Sequence, residues 1–189
     1  MKPQYRQPNW RPDLAPNDLW LPHALLLSHN AALDIDELAD VDAMNAWLRK
    51  HQLDAGSINE EARIDARSLR QALEVLVQEG GPVDDNAAME PLHVDVEETL
   101  WIQDGQVLRQ RHFGDGWSSI RDRIVAATLE ALQEPGLWSR LKICRNPKCR
   151  WVFFDANRSR QQVWCHTLRC GNNVHKATYK RRHPNRPYG

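Results

Sequence analysis

Four cysteines carry the most specific chemistry in this 189-residue chain, and all of them lie between Cys144 and Cys170. They read Cys144-x4-Cys149, a 15-residue gap, then Cys165-x4-Cys170. Two close pairs joined by an insert suit a tetrahedral metal site, because each pair folds into a tight turn that delivers two thiolates and the insert brings the turns together. Asn146-Pro147 lies inside the first pair, where Pro fixes φ and Asn tolerates turn geometry. Gly171 follows the last cysteine, where backbone amides can face a thiolate with no Cβ in the way. Zn²⁺ is the expected ion; an iron–sulfur cluster, two disulfides or four free thiols are the alternatives. His166, His175 and His183 stand off the pattern and read as surface residues rather than substitute ligands.

Around the cysteines the charge is one-sided. Arg145, Lys148, Arg150 and Arg169 can offset the −2 that four thiolates leave on a Zn²⁺ site. After Cys170 the chain runs Asn172 to His183 with Lys176, Tyr179, Lys180, Arg181 and Arg182, a pattern that predicts a helix of about three turns capped by Asn172. Val174, Ala177 and Thr178 are expected to face the metal knuckle, and the cations to face outward, with Arg158, Arg160 and Arg186 nearby. Lys176, Lys180, Arg181, Arg182, Arg158 and Arg160 are the predicted contacts to a phosphate backbone. A solvated basic face is the bland alternative.

The elements that must position this site follow from periodicity and punctuation. Trp151 to Phe154 predicts a strand and Asp155 to Ser159 a reversal, giving a hairpin between the cysteine pairs. Upstream, the Pro-rich residues 1–19 read as an extended arm, Pro22 at a first-turn position with the run Ala24 to Leu27 as a short helix, and Asp36 to Leu53 as an amphipathic one ended by Gly56. Ser57 with Glu60 is a capping-box signature for a third helix running to Gly80-Gly81-Pro82. Asp104-Gly105 between two strand-like runs predicts a two-residue hairpin turn, and Trp117 to Leu132, capped by Ser118 or Ser119, a fourth helix closed by Pro135-Gly136. The fold class is α+β: a mainly helical N-terminal domain (20–136) with a small antiparallel β element, then a C-terminal four-cysteine zinc-finger module (137–189) of β-hairpin and helix.

The formal charge is zero, with 25 basic and 25 acidic residues, yet residues 1–136 hold 12 basic against 24 acidic residues and residues 137–189 hold 13 against Asp155 alone. Neutrality is the sum of two oppositely charged parts, −12 and +12. The N-terminus lacks an apolar core after its basic residues and no run is long enough to span a bilayer, so a cytoplasmic, reducing address is expected, where clustered cysteines serve metal rather than cross-links.

The run Cys144-x4-Cys149, Phe154-Asp155, Trp164-Cys165-x4-Cys170-Gly171-Asn172 and the Lys/Tyr/Arg-rich tail resembles the CGNR zinc-finger family of bacterial proteins, in which the finger follows an ABATE domain. The resemblance implies that the four cysteines ligate zinc, that the finger binds DNA, that the N-terminal domain senses a small-molecule effector, and that such proteins are stress-linked transcription regulators. The fourth signature position is Asn173 here, not Arg. The helix with Trp47-Leu48 and the stretch Trp138 to Cys144 are similar to the family's "WL" helix and its lead into the finger. Where relatives show an Asp-aromatic-x-Asn-Thr run this chain has Leu27-Ser28-His29-Asn30-Ala31, so His29 and Asn30 are the effector-site candidates by resemblance.

A DNA-binding regulator, with a homodimer enlarging a small footprint, is therefore the leading expectation. An RNA-binding zinc module with Trp151, Phe153 or Tyr179 stacking on bases is an alternative, as is an adaptor whose basic module binds an acidic protein or its own N-terminal domain. No catalytic set is read. A nuclease would need carboxylates for an open metal position, and Asp155 is the only acid of its module.

Overall fold

The computed structural model describes residues 11–78 and 92–183. The first ten residues of the expected arm, the Gly80-Gly81-Pro82 stop, Pro184 and Arg186 lie outside the described residues. The described chain mixes helices with three two-stranded antiparallel sheets. It contains no helix long and apolar enough to cross a membrane.

Helix α1 (Trp20–Leu26) is buried from Leu21 to Leu26, and it packs against α3 (Glu60–Gln78), α4 (Gly116–Gln133) and β6 (Val152–Phe154). A helix apolar on every side is stable only when enclosed, and α1 is the axis on which the others are arranged. The described part of residues 11–19 is tied to it: Asn17–Leu19 forms a 3-10 turn, and Ala15 and Leu19 are buried.

The helix expected from Asp36 starts later. Ile35–Asp36 (β2) pairs with His29–Asn30 (β1), and α2 spans Val41–Lys50. Asp40 is its N-cap, accepting the Ala43 amide at 2.7 Å, whereas Asp36 accepts from the Arg70 guanidinium at 2.8 Å and the Leu38 amide at 3.0 Å. A tertiary ion pair has taken the residue that local pattern assigned to the helix. For α3, the Ala62 amide donates to Asn59 Oδ1 at 2.9 Å, so Asn59 rather than Ser57 satisfies the first turn. α4 begins at Gly116, whose φ of +71° follows Asp115, and not at a Ser118 or Ser119 cap.

The turn between β3 (Glu97–Gln103) and β4 (Gln106–His112) has φ +52° at Asp104 and +76° at Gly105, the conformation expected of Asp-Gly. The third sheet corrects the expected hairpin. β6 pairs with β5 (Leu141–Ile143), which precedes Cys144, so the hairpin encloses the first cysteine pair instead of joining the two pairs. Leu141 and Val152 belong to the main apolar cluster with α1, α3 and α4, which gives β5 a buried reason to be a strand. α5 (Asn172–Arg182) also begins differently: a π-helical turn, Thr167–Gly171, leads straight into it, so Asn172 is helical and not a cap.

Candidate metal centre

The first cysteine pair is the loop of the β5–β6 hairpin. The Cys144 amide donates to the Trp151 carbonyl at 2.9 Å, and the Cys149 and Arg150 amides donate to the Asn146 carbonyl at 2.9 and 3.1 Å. Asn146 Oδ1 also accepts the Lys148 amide at 3.1 Å, and Arg150 takes φ +55° to leave the turn. The second pair sits on the π turn, where the Cys170 amide donates to the His166 carbonyl at 2.8 Å and His166 Nδ1 accepts the Arg169 amide at 3.3 Å. Gly171 has φ −61°, so its lack of a side chain serves packing: a Cβ there would lie 3.0 Å from Trp164 Cδ1. The Gly171 amide itself donates to the His166 carbonyl at 3.4 Å, and the amides that reach the thiols are those of Cys165, on Cys144, and Trp151, on Cys149.

The two turns converge. All four Sγ atoms lie within 4.8 Å of one another, with Cys149–Cys165 at 3.4 Å and Cys165–Cys170 at 3.6 Å. Four sulfurs ligating one Zn²⁺ at about 2.3 Å would be spaced about 3.8 Å apart, and a disulfide needs about 2.05 Å. The spacing fits the first and excludes the second, and all four are free thiols. Three are buried and Cys165 is half-buried. Hydrogen bonding among crowded thiols divides them: Cys149 and then Cys165 and Cys170 hold Cys144 below the ordinary thiol range, while Cys149 and Cys165, bonded first of all to Cys144, are pushed above it. A cluster that resists becoming four thiolates alone accepts them with a divalent cation among them.

The surroundings of the cysteines come from both ends of the chain. Leu27, Trp151 and Phe153 are buried with the cysteines, and Leu33, Ile35 and Trp164 close over them. Asn30, 4% exposed, donates from Nδ2 to the Cys149 carbonyl at 2.7 Å. β1 is in turn held by Arg70 of α3, which donates to Ser28 Oγ at 3.0 Å and to Asp36. Burial would raise the Asp36 carboxyl, but the Arg70 and Leu38 hydrogen bonds outweigh it and hold it below the usual range. Arg11 completes the brace, bonding the Leu27 carbonyl at 3.0 Å and standing 5.3 Å over the Trp151 ring.

The structure puts Asn30 against the metal loop, and it puts His29 at 3.0 Å from Glu74. Lys176, Lys180, Arg181 and Arg182 are exposed on α5 and Arg158 on the loop after β6. Arg160 is exposed too, but its guanidinium donates to the Gly136 carbonyl at 3.3 Å. Ala177, expected to face the knuckle, is exposed, and no residue of α5 is buried. Trp151 and Phe153 are 1% and 2% exposed, which removes them as stacking platforms. Asn173, the departure from the signature, donates from Nδ2 to the Arg169 carbonyl.

Two residues that carry the site were not singled out for it from sequence. Asp155 is fully buried: it accepts Lys142 Nζ at 2.7 Å and the Gln162 and Asn157 amides at 2.9 and 3.0 Å. Burial opposes its charge, yet these bonds hold its carboxyl below the usual range. His23, also fully buried, accepts the Ala15 amide at Nδ1 (3.0 Å), so the ring proton is on Nε2 and faces the Val152 carbonyl at 3.2 Å. Burial lowers its pKa to about 4. The signal in both cases was a lone polar residue in an apolar run, which sequence cannot pair with its partners.

A family model described as CGNR zinc finger matches residues 140–183. No curated protein matches the chain. The four cysteines are positioned to bind a metal ion, and together with this match the set is consistent with Zn²⁺.

Proposed function

We propose that this chain is a zinc-organised DNA-binding protein, a cytoplasmic transcription regulator in which residues 137–189 grip the phosphate backbone and residues 20–136 are an ABATE-like sensing domain. One observation carries the reading. The only acid of the basic module, Asp155, is spent internally on Lys142 and two backbone amides, so it neutralises none of the outward cations. Arg158, Lys180, Arg181 and Arg182 form no ion pair among the described residues. Such a surface has the electrostatic form of a polyanion site, and the buried acid leaves no carboxylate to open a catalytic metal position.

For an effector, His29 is a poor candidate because it already pairs with Glu74, and Asn30 because it is enclosed with Nδ2 held by the Cys149 carbonyl, which leaves only its buried Oδ1 without a partner. A cavity of about 260 Å³ between α1, α4 and β4 is lined by Trp20 and Phe113 and by charges of both signs, Arg109, Arg111 and Arg123 with Asp18 and Glu130, and it suits a small ligand of mixed polarity better. A role in bacterial stress follows from the family resemblance.

The test uses the full zinc-loaded chain with duplex DNA and single-stranded RNA in competition. Duplex should win, because of the three rings that could stack on bases Trp151 and Phe153 are buried and Tyr179 alone is exposed; preference for the RNA would overturn the reading in favour of the RNA module. Replacing Lys180, Arg181 and Arg182 together by Ala should lower duplex affinity while leaving zinc content unchanged.

A further inference from the structure

β4 of the β3–β4 ribbon is tied to α4 by Arg111, which donates to Glu130, while β3 lies open: Leu100, Trp101, Ile102 and, across from it, Val107 are 59, 40, 76 and 69% exposed. Every residue of β3 is exposed, and among the described residues no third strand joins it. A two-stranded ribbon is marginal on its own, and an apolar edge left open invites another strand.

The register says which strand the edge accepts. Gln103 pairs with Gln106 around a two-residue turn with both φ values positive, so that closing pair exchanges hydrogen bonds. The pattern alternates, so Trp101/Leu108 and Thr99/Gln110 are also bonded inward. The amides and carbonyls of Glu98, Leu100 and Ile102 therefore point to the free edge of β3, and those of Val107, Arg109 and Arg111 to the free edge of β4. The β4 edge is guarded by its two arginines, whereas β3 is uncharged from Thr99 to Gln103.

We infer that the free edge of β3 is a dimer interface, pairing antiparallel with β3 of a second copy so that Leu100 faces Leu100 across the two-fold axis. In that register Leu100 meets its own copy, and Glu98 meets Ile102 on both sides, so every outward-pointing pair is bonded and no like charges oppose. A register one step along, centred on Trp101, sets Glu98 against Asp104, two carboxylates, and leaves fewer bonded pairs. The matching β4–β4 arrangement sets Arg109 against Arg109. The product is a four-stranded sheet with Leu100, Ile102 and Val107 of both copies on one face. This inference does not rest on the DNA-binding reading.

Sedimentation equilibrium of the full zinc-loaded chain tests it. The wild type should show twice its 21.9 kDa mass in the micromolar range. Leu100→Lys, which sets like charges on the axis, and Leu100→Pro, which removes the bridging amide but no β3–β4 bond, should each weaken dimerisation at least tenfold. Ile102→Lys should stay dimeric because the lysine faces Glu98 of the other copy, and Val107→Lys should stay dimeric because β4 is the outer strand. Circular dichroism and zinc content should match wild type in all four. A monomeric wild type, a Leu100→Lys protein as dimeric as wild type, or loss of the dimer in Val107→Lys would each overturn the edge pairing.

Discussion

Asp155 and His23 show how single buried polar groups fix the metal module. Asp155 holds together the hairpin and the loop that follows it through Lys142, and that cation keeps 27% of its side-chain exposure. Asp155→Asn should therefore cost about 2 kcal/mol in urea unfolding, less than a fully enclosed pair would. His23 ties α1 to β6 in its neutral form. Its folded pKa of about 4 lies below the ordinary 6.5, so its contribution is complete above pH 6.5 and is lost as pH falls from there to about 4. By pH 4 the loss should reach roughly 3 kcal/mol. His23→Gln can make both hydrogen bonds without titrating, and the difference in stability between the two proteins should narrow steadily over that range. A constant difference would show that His23 is not the group responsible. The cysteines were legible in the sequence because their spacing is local. Asp155 and His23 were not, because their partners arrive through tertiary structure.

At the scale of elements, the metal turns depend on what is packed behind them. Gly171→Ala pushes a methyl against the Trp164 ring, 3.0 Å from Cδ1, and should cost about 1–2 kcal/mol unless the indole moves. The stabilities of wild type and variant at saturating zinc measure this. Asn30→Ala removes the one side-chain bond from β1 to the Cys149 carbonyl, and zinc affinity by chelator competition should fall roughly 10-fold, the lower end of outer-shell effects. Unchanged affinity would reduce Asn30 to a packing residue. The Asp104-Gly105 turn and the existence of α2, α3 and α4 were readable because turn chemistry and helical period are written in adjacent residues. The start of α2 and the pairing of β6 were not. Arg70 claims Asp36 for β2, and the apolar side chains of β5 find their core against helices distant in sequence.

Over the whole molecule, the sequence arithmetic of −12 and +12 becomes a spatial arrangement in which the basic part is not a separate bead. β5 and β6 share an apolar cluster with α1, α3 and α4, and Leu27, Leu33 and Ile35 lie against the cysteines. Chelation should thus lower the thermal stability of the entire chain, with amide protection lost in β1–β2 as well as around the cysteines. The central claim is that zinc presents a cationic surface to a nucleic-acid backbone. Its most direct test is the salt dependence of duplex DNA binding by the full chain, with and without zinc. If about five phosphates are neutralised, the slope of log affinity against log salt should be near −4.5, and it should flatten when Lys180, Arg181 and Arg182 become Ala. Zinc-loaded protein that binds no duplex at low salt, or binds with a slope near zero, would contradict the account.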